Sequence, residues 1–130
     1  MSKEYFTRQR EEQLSYSRAV RVEGGTTIYL AGVGGHRDAE GNFVGGTFSE
    51  QAHRALERMS DAIKLAGGAI DDIVTMTVFI TDCRYGTEFD RIRTKYFKPG
   101  HYPASALITV AGLAQPEMLI EIQAVGVVGD

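Results

Sequence analysis

Residues 47–81 place an amphipathic helix directly ahead of a long strand, and that pair requires a fold in which a helix lies across a sheet. Thr47 suits the helix N-cap. Glu50, three residues on, completes a capping box in which each side chain satisfies one backbone N–H left free at the helix start. Ala52, Ala55, Leu56, Met59, Ala62, Ile63 and Ala66 recur every three or four residues as one apolar stripe. Gly67-Gly68 then ends the helix, because the position after a last turn is commonly left-handed and glycine takes it without steric cost. Ile73 to Thr81 (IVTMTVFIT) follows as a strand, with Val74, Met76, Val78 and Ile80 on one face. The other face, Ile73, Thr75, Thr77 and Phe79, mixes threonine with apolar residues and suits contact with another subunit or a partly wet cavity.

The flanking segments are mostly strands. Ser17 to Glu23 alternates, Thr26 to Val33 (TTIYLAGV) is rich in strand formers, and Gly24-Gly25 between them signals a β-hairpin. The charged opening dozen residues are read as a lead-in, and Gly34 to Gly46 as a loop turning at Asp38–Asn42. A second helix is expected over about Gly86 to Phe97, with Phe89, Ile92 and Tyr96 as its inner stripe and Pro99-Gly100 as its stop. The last strands run over about Ala104 to Val110 and Met118 to Val127. The order β-β-α-β-α-β-β in one domain spanning residues 1–130 predicts an α+β fold, a mixed sheet with two helices packed on one face. The opposite face stays partly apolar, and a closed oligomer is the usual way to cover it.

Bulk properties narrow the partners. A net charge of −3 gives no electrostatic track for nucleic acid or an anionic membrane. No apolar run reaches the ~20 residues of a membrane span and the polar start lacks a signal-peptide core, which points to the cytoplasm. Cys83 is the only cysteine, so one chain can form neither an internal disulfide nor a thiolate cluster, and it is read as a half-buried small residue at a strand end. His36, His53 and His101 lack metal-ligand spacing, so no metal is expected.

The closing segment carries the chemistry. Glu121 is a lone carboxylate inside an apolar strand, where an ionised group is costly unless something pairs with it or uses it. Around it, Pro103, Ala104, Ile120, Glu121, Ile122 and Ala124 fit a Pro-Ala-Arg-Ser … Ile-Glu-Ile-Glu-Ala signature. Further matches are Tyr16-Ser17-Arg18-Ala19-Val20, Ala31-Gly32, Glu50-Gln51 with Ala55-Leu56, Ala66-Gly67, and the strand from Thr75 to Asp82. In this order, from about Leu14 to Val127, the phrases resemble the RidA/YjgF family, small deaminases of reactive enamines and imines. The resemblance implies a chorismate-mutase-like α+β fold and a homotrimer with three clefts between subunits. It also implies an arginine that holds a substrate carboxylate, and water attack on an iminium carbon assisted by Tyr16 and Glu121 without a cofactor. Glutamate suits that step because burial favours the neutral form of a carboxyl group and lets it pass protons.

The signature's arginine position holds Ser105, which cannot reproduce a bidentate fork. Leu107, Asp90, Gly86 and Val33-Gly34-Gly35 also depart from the family's wording, and the expected substrate-binding set is Gly32, Val33, Gly86, Asp90, Ser105 and Leu107. Clustered departures point to a repurposed pocket: a small-molecule hydrolase acting on an imine, an enamine or a related C–N bond. The competing reading is a non-catalytic trimer that binds a metabolite. Individual residues carry alternatives too. Glu121 acts as general acid/base, or is a carboxylate held by backbone N–H groups or an arginine. Tyr16 serves chemistry or an interface. Ser105 is a pocket-lining hydroxyl rather than a nucleophile, since no Gly-x-Ser-x-Gly elbow surrounds it. Asp90 lines the cleft or faces solvent, His101 reaches the cleft mouth or is a surface loop histidine, and Arg37 and Arg93 are solvated unless one replaces the missing cation.

Overall fold

The computed structural model describes residues 1–129. The elements are β1 (Ser2–Phe6), α1 (Gln9–Gln13), β2 (Ala19–Glu23), β3 (Thr26–Tyr29), β4 (Val33–Gly34), α2 (Phe48–Leu65), β5 (Ile73–Ile80), α3 (Gly86–Arg93), β6 (Ala104–Thr109) and β7 (Ile120–Val128). The main sheet has the order β3-β7-β5-β6, with β4 also paired to β7, so the longest strand holds three others. β5 is antiparallel to β7 and parallel to β6, which makes the sheet mixed. The α+β architecture with two main helices on one face is therefore present.

The capping box forms as read. Thr47 Oγ1 accepts from the Glu50 N–H at 3.2 Å and Glu50 Oε1 accepts from the Thr47 N–H at 2.9 Å. Ala52, Ala55, Leu56, Met59 and Ile63 are buried under α2, while Ala66 is the exposed C-cap and drops out of the stripe. Close helix-to-sheet approach depends on glycine as well as alanine. A Cβ on Gly126 of β7 would lie 2.6 Å from Ile63 Cδ1.

Residues opposite one another in a ladder project to the same face. Met76, Val78 and Ile80 are buried beneath the helices, and their partners Ser105, Leu107 and Thr109 on β6 and Ala124, Ile122 and Ile120 on β7 share that face. Thr75, Thr77 and Phe79, with Gln123 and Glu121, occupy the opposite face, which no helix covers.

Four expectations change. The proposed hairpin is absent: Gly24 and Gly25 turn the chain at φ 75° and 85°, but β2 pairs with β1 and β3 pairs with the end of β7. A turn signal specifies a reversal, while pairing goes to whichever strand buries the apolar side chain, here Ile28 against the core. The segment 26–33 is two short strands, broken over 30–32. The charged lead-in holds β1 and α1, which makes the observed order β-α-β-β-β-α-β-α-β-β. Finally, α3 stops at Arg93 instead of reaching Phe97.

Gln51 ties α2 to the approach of β7. It is 1% exposed; its Nε2 donates to the carbonyls of Glu117 (2.9 Å) and Gly46 (3.3 Å), and its Oε1 accepts from the Leu119 N–H (2.9 Å). Gln51→Ala removes the partner of two part-buried backbone groups just ahead of Glu121, the Glu117 carbonyl and the Leu119 N–H, and each such hydrogen bond contributes about 0.5–1.5 kcal/mol. Denaturant unfolding at fixed protein concentration should show a loss of about 1–3 kcal/mol. A loss below about 1 kcal/mol would mean that water replaces the amide at little cost.

Candidate active site

The site residues fall into two walls. The first is built where the chain between α1 and β2 crosses the end of α3 and β6. Leu14, Tyr16, Asp90, Arg93, Ser105 and Leu107 line a cavity of about 220 Å³. Gly86, the first residue of α3, borders it: a Cβ there would lie 3.2 Å from Leu107 Cδ2.

Arg93 organises this wall. The periodicity of α3 puts it one turn after Phe89 on the inner face, and it is 2% exposed, with its guanidinium 4.9 Å from the Phe89 ring centroid. Nη1 donates to Ser105 Oγ at 2.7 Å, Nε to Ser15 Oγ at 3.1 Å, and Nη2 to the Leu14 carbonyl at 3.2 Å. The Asp90 carboxylate is the only ion-pair partner of Arg93 among the described residues, at 3.5 Å. Burial lowers the Arg93 pKa to about 10, against the opposing pull of Asp90, Tyr102 and Tyr16, so the group is charged at neutral pH. Burial likewise pushes the Asp90 carboxyl up, partly offset by Arg93. The solvated role read for Arg93 is thus corrected. So is the solvated alternative for Asp90, which lines the cavity.

Ser15 adds a backbone signal. It has φ 59°, a left-handed conformation that costs a serine of order 1 kcal/mol. Its hydroxyl donates to the Asp90 carbonyl at 2.8 Å while accepting from Arg93, and these bonds hold the turn that aims Tyr16 at the cavity.

The second wall lies on β4, the loop after it and β7. Glu121 stands in register between Gly34 on β4 and Phe79 on β5, in a cleft of about 290 Å³ that Gly32 and Val33 also line. A Cβ on Gly32 would fall 2.7 Å from Glu121 Oε2 and 3.0 Å from its carboxyl carbon, so only glycine leaves the carboxylate its place. None of the ion pairs among the described residues involves Glu121. The reading in which an arginine neutralises it inside the chain is not supported.

Three more residues line this second wall, of which the sequence reading weighed only Arg37 for the site. Arg58 donates to the Gly34 carbonyl at 2.9 Å, and Arg37 to the Gly41 carbonyl at 3.0 Å. His36 is buried with Nδ1 lacking a protein partner, and burial, reinforced by Arg37 and Arg58, lowers its pKa. The only sequence hint was the pair Arg54 and Arg58, one turn apart on α2 and both bound to carbonyls of the glycine loop. His101 stacks on Tyr5 at 5.1 Å and lines neither wall.

Tyr16, Asp90, Ser105, Leu107 and Gly86 are therefore brought together, as are Gly32, Val33 and Glu121, but the two sets are not brought together within one chain. Ser105 and Leu107 belong to the helix-covered face and Glu121 to the open one, with β5 between their strands. The first wall offers a cation and hydroxyls, and the second a carboxylate together with two arginines and a histidine. Among the described residues no three His, Cys, Asp or Glu side chains converge as a metal would require, and no helix is long and apolar enough to cross a membrane.

Known proteins share this arrangement of elements. The chain is 36% identical to the human protein named 2-iminobutanoate/2-iminopropanoate deaminase over 114 residues, 88% of this chain and 80% of that one. RidA from an Antarctic Psychrobacter superposes with a TM-score of 0.73 at 29% identity, covering 88% of this chain and 89% of that one. A conserved Rid-family protein of unknown function from Yersinia pestis, 23% identical, gives a TM-score of 0.88 over 98% of this chain and all of that one, a likeness of fold. The model of the family described as Endoribonuclease L-PSP matches residues 7–128, and with it the chain belongs to the RidA/YjgF family.

Proposed function

We propose that the protein is a Rid-type hydrolase that adds water to the C=N bond of a small imine, or of the imine tautomer of an enamine, in clefts between the subunits of a homotrimer. The observation that carries this reading is the placement of Glu121, an unpaired carboxylate in a cleft, fitted against a glycine whose Cβ would displace it. Its complement, the Tyr16–Arg93–Ser105 wall, lies on the other face of the sheet, so a complete site requires a second copy. The open sheet face supports such an assembly. It carries Tyr29, 81% exposed, and Ile108, 42% exposed, apolar area that a neighbour would bury.

In the reaction, water bonds to the iminium carbon as Glu121 takes its proton, and the C=N electron pair moves onto nitrogen. Glu121 then passes the proton to that nitrogen, and the C–N bond breaks. The C–N electron pair leaves with nitrogen as ammonia, Glu121 takes the hydroxyl proton as C=O forms, and that proton passes to ammonia, leaving a carbonyl compound and ammonium. Tyr16, from the facing wall, orients the attacking water or the leaving nitrogen through its hydroxyl. Ser105 alters the substrate range: without an arginine fork at that position, imines of the simplest amino acids, such as 2-aminoacrylate, should be turned over weakly.

The test is a panel of imines, enamines and amides, followed by stoichiometric release of ammonia and carbonyl product. Binding across the panel without release would favour the second reading, a metabolite-binding trimer. The family description also refers to ribonuclease chemistry, which a chain of net charge −3 does little to support.

Gly32→Ala offers a finer check. The added methyl meets the mobile end of Glu121, so the side chain can swing away at little cost in stability. A carboxylate moved by about 1 Å loses on the order of a hundredfold in rate. Turnover should fall at least tenfold with a melting temperature close to wild type, and unchanged turnover would detach Glu121 from the chemistry.

A further inference from the structure

We infer that His36 is a further positioning residue of the proposed reaction, and that its imidazole Nδ1 holds the attacking water beside Glu121. The inference rests on the hydrolase reading above and adds the group that aims the nucleophile.

The alternation of residues 32–36 places the ring. Gly34 pairs in register with Glu121 and Val33 with Ile122. Gly32 and Gly34 therefore share the face from which the carboxylate projects, and Val33 shares the helix-covered face of Ile122. Gly35 keeps the alternation, since a Cβ there would collide with the Gln51 carbonyl of α2. His36 returns to the face of Glu121. A Cβ on Gly34 would lie 3.1 Å from His36 Nδ1, just as one on Gly32 would lie 2.7 Å from Glu121 Oε2. Two glycines thus clear a floor, with the nitrogen over one and the carboxylate over the other. They stand about 7 Å apart in an extended chain. No ion pair among the described residues joins His36 to Glu121. A water hydrogen-bonded to both spans about 5–6 Å, and the mobile end of Glu121 closes the rest.

The ring is fixed, yet one of its nitrogens is idle. His36 is 8% exposed, lies edge-on to Phe43 at 6.5 Å, and its carbonyl accepts from the Val44 and Gly45 N–H groups. Nδ1 is buried without a protein partner, which buried polar atoms rarely are. Four charges face it: Arg37 beside it, Arg58 from α2, Glu117 ahead of β7 and Glu121 on β7. Burial and the two arginines outweigh the carboxylates and lower its pKa, so the ring is neutral at pH 7 and has a lone pair to offer. Water has two protons. With one on Glu121 and the other on Nδ1, its own lone pair turns to the imine carbon, and Tyr16 is left for the nitrogen.

The experiment compares kcat and KM of wild type, His36→Leu and His36→Asn on the imine of the panel that wild type converts fastest. Leucine keeps the packing against Phe43 but has no lone pair, and asparagine puts an amide oxygen near the place of Nδ1. His36→Leu should lower kcat at least about tenfold with KM within about twofold, because a misplaced nucleophile slows reaction without loosening the substrate. His36→Asn should recover kcat to within about threefold of wild type. A kcat of His36→Leu within about twofold of wild type, or a loss that asparagine does not recover, would overturn the role. Ring-nitrogen NMR at neutral pH needs no substrate. Nδ1 should be unprotonated, with the proton on Nε2, and its signal should shift in Glu121→Gln as the shared water reorients. A proton on Nδ1, or a signal indifferent to Glu121→Gln, overturns it equally. Failure of wild type on the whole panel sinks the hydrolase reading instead, and the ring signals then decide by themselves whether His36 and Glu121 hold a water in common.

Discussion

Glu121→Gln should lower kcat for ammonia release by at least about a hundredfold, the usual share of a general acid/base. The two side chains have the same shape, so the amide fits beside Gly32 as the carboxylate does. What changes is the capacity to take a proton from water and return it to nitrogen. No ion pair among the described residues depends on Glu121, so the melting temperature should move by no more than a surface substitution would move it. Ligand binding should persist, because the Tyr16–Arg93–Ser105 wall is unchanged. A variant that loses activity and stability in parallel would point to a structural carboxylate, and one that keeps full activity would end the proposed mechanism.

The sequence made the fold's frame legible wherever a local rule decides the outcome. The capping box at Thr47, the glycine stop after Ala66 and the alternation through β5 are such rules, and each has its expected place in the structure. Long-range pairing was less readable. Thr26–Tyr29 could have joined β2 or β7 by its own pattern, and what settles the matter is Ile28 reaching the core from the edge of the longest strand. β1 escaped notice because SKEYF is a polar strand on a small two-stranded ladder, where one face needs little apolar content.

The site was legible in part for the same reason. Glu121 stood out as a charge in an apolar run. Arg93 did not, because charged helix residues are usually solvated. Yet its spacing from Phe89 and Ile92 already placed it on the inner face, and a charged residue on an apolar stripe is the helical equivalent of Glu121 in its strand. Ser105 and Arg93 are a contact between strand and helix, with Nη1 on Oγ, and no sequence spacing announces that.

Mixed trimers should recover activity that neither parent possesses. Tyr16→Phe impairs the first wall and Glu121→Gln the second, and these walls lie on opposite faces of one protomer's sheet. If each cleft takes its first wall from one copy and its second from the next, a cleft is intact only when a Glu121→Gln chain supplies the first and a Tyr16→Phe chain the second. Random assembly at equal amounts makes about one quarter of the clefts intact, by the rule that a heterologous interface joins different patches of successive subunits. Unfolding and refolding the two variants together should therefore raise ammonia release to about a quarter of wild type, well above the mean of the separate parents. Activity equal to that mean would place both walls of a working site in one chain. That result would require the sheet to rearrange around β5, whose buried Met76, Val78 and Ile80 leave it no freedom to do so.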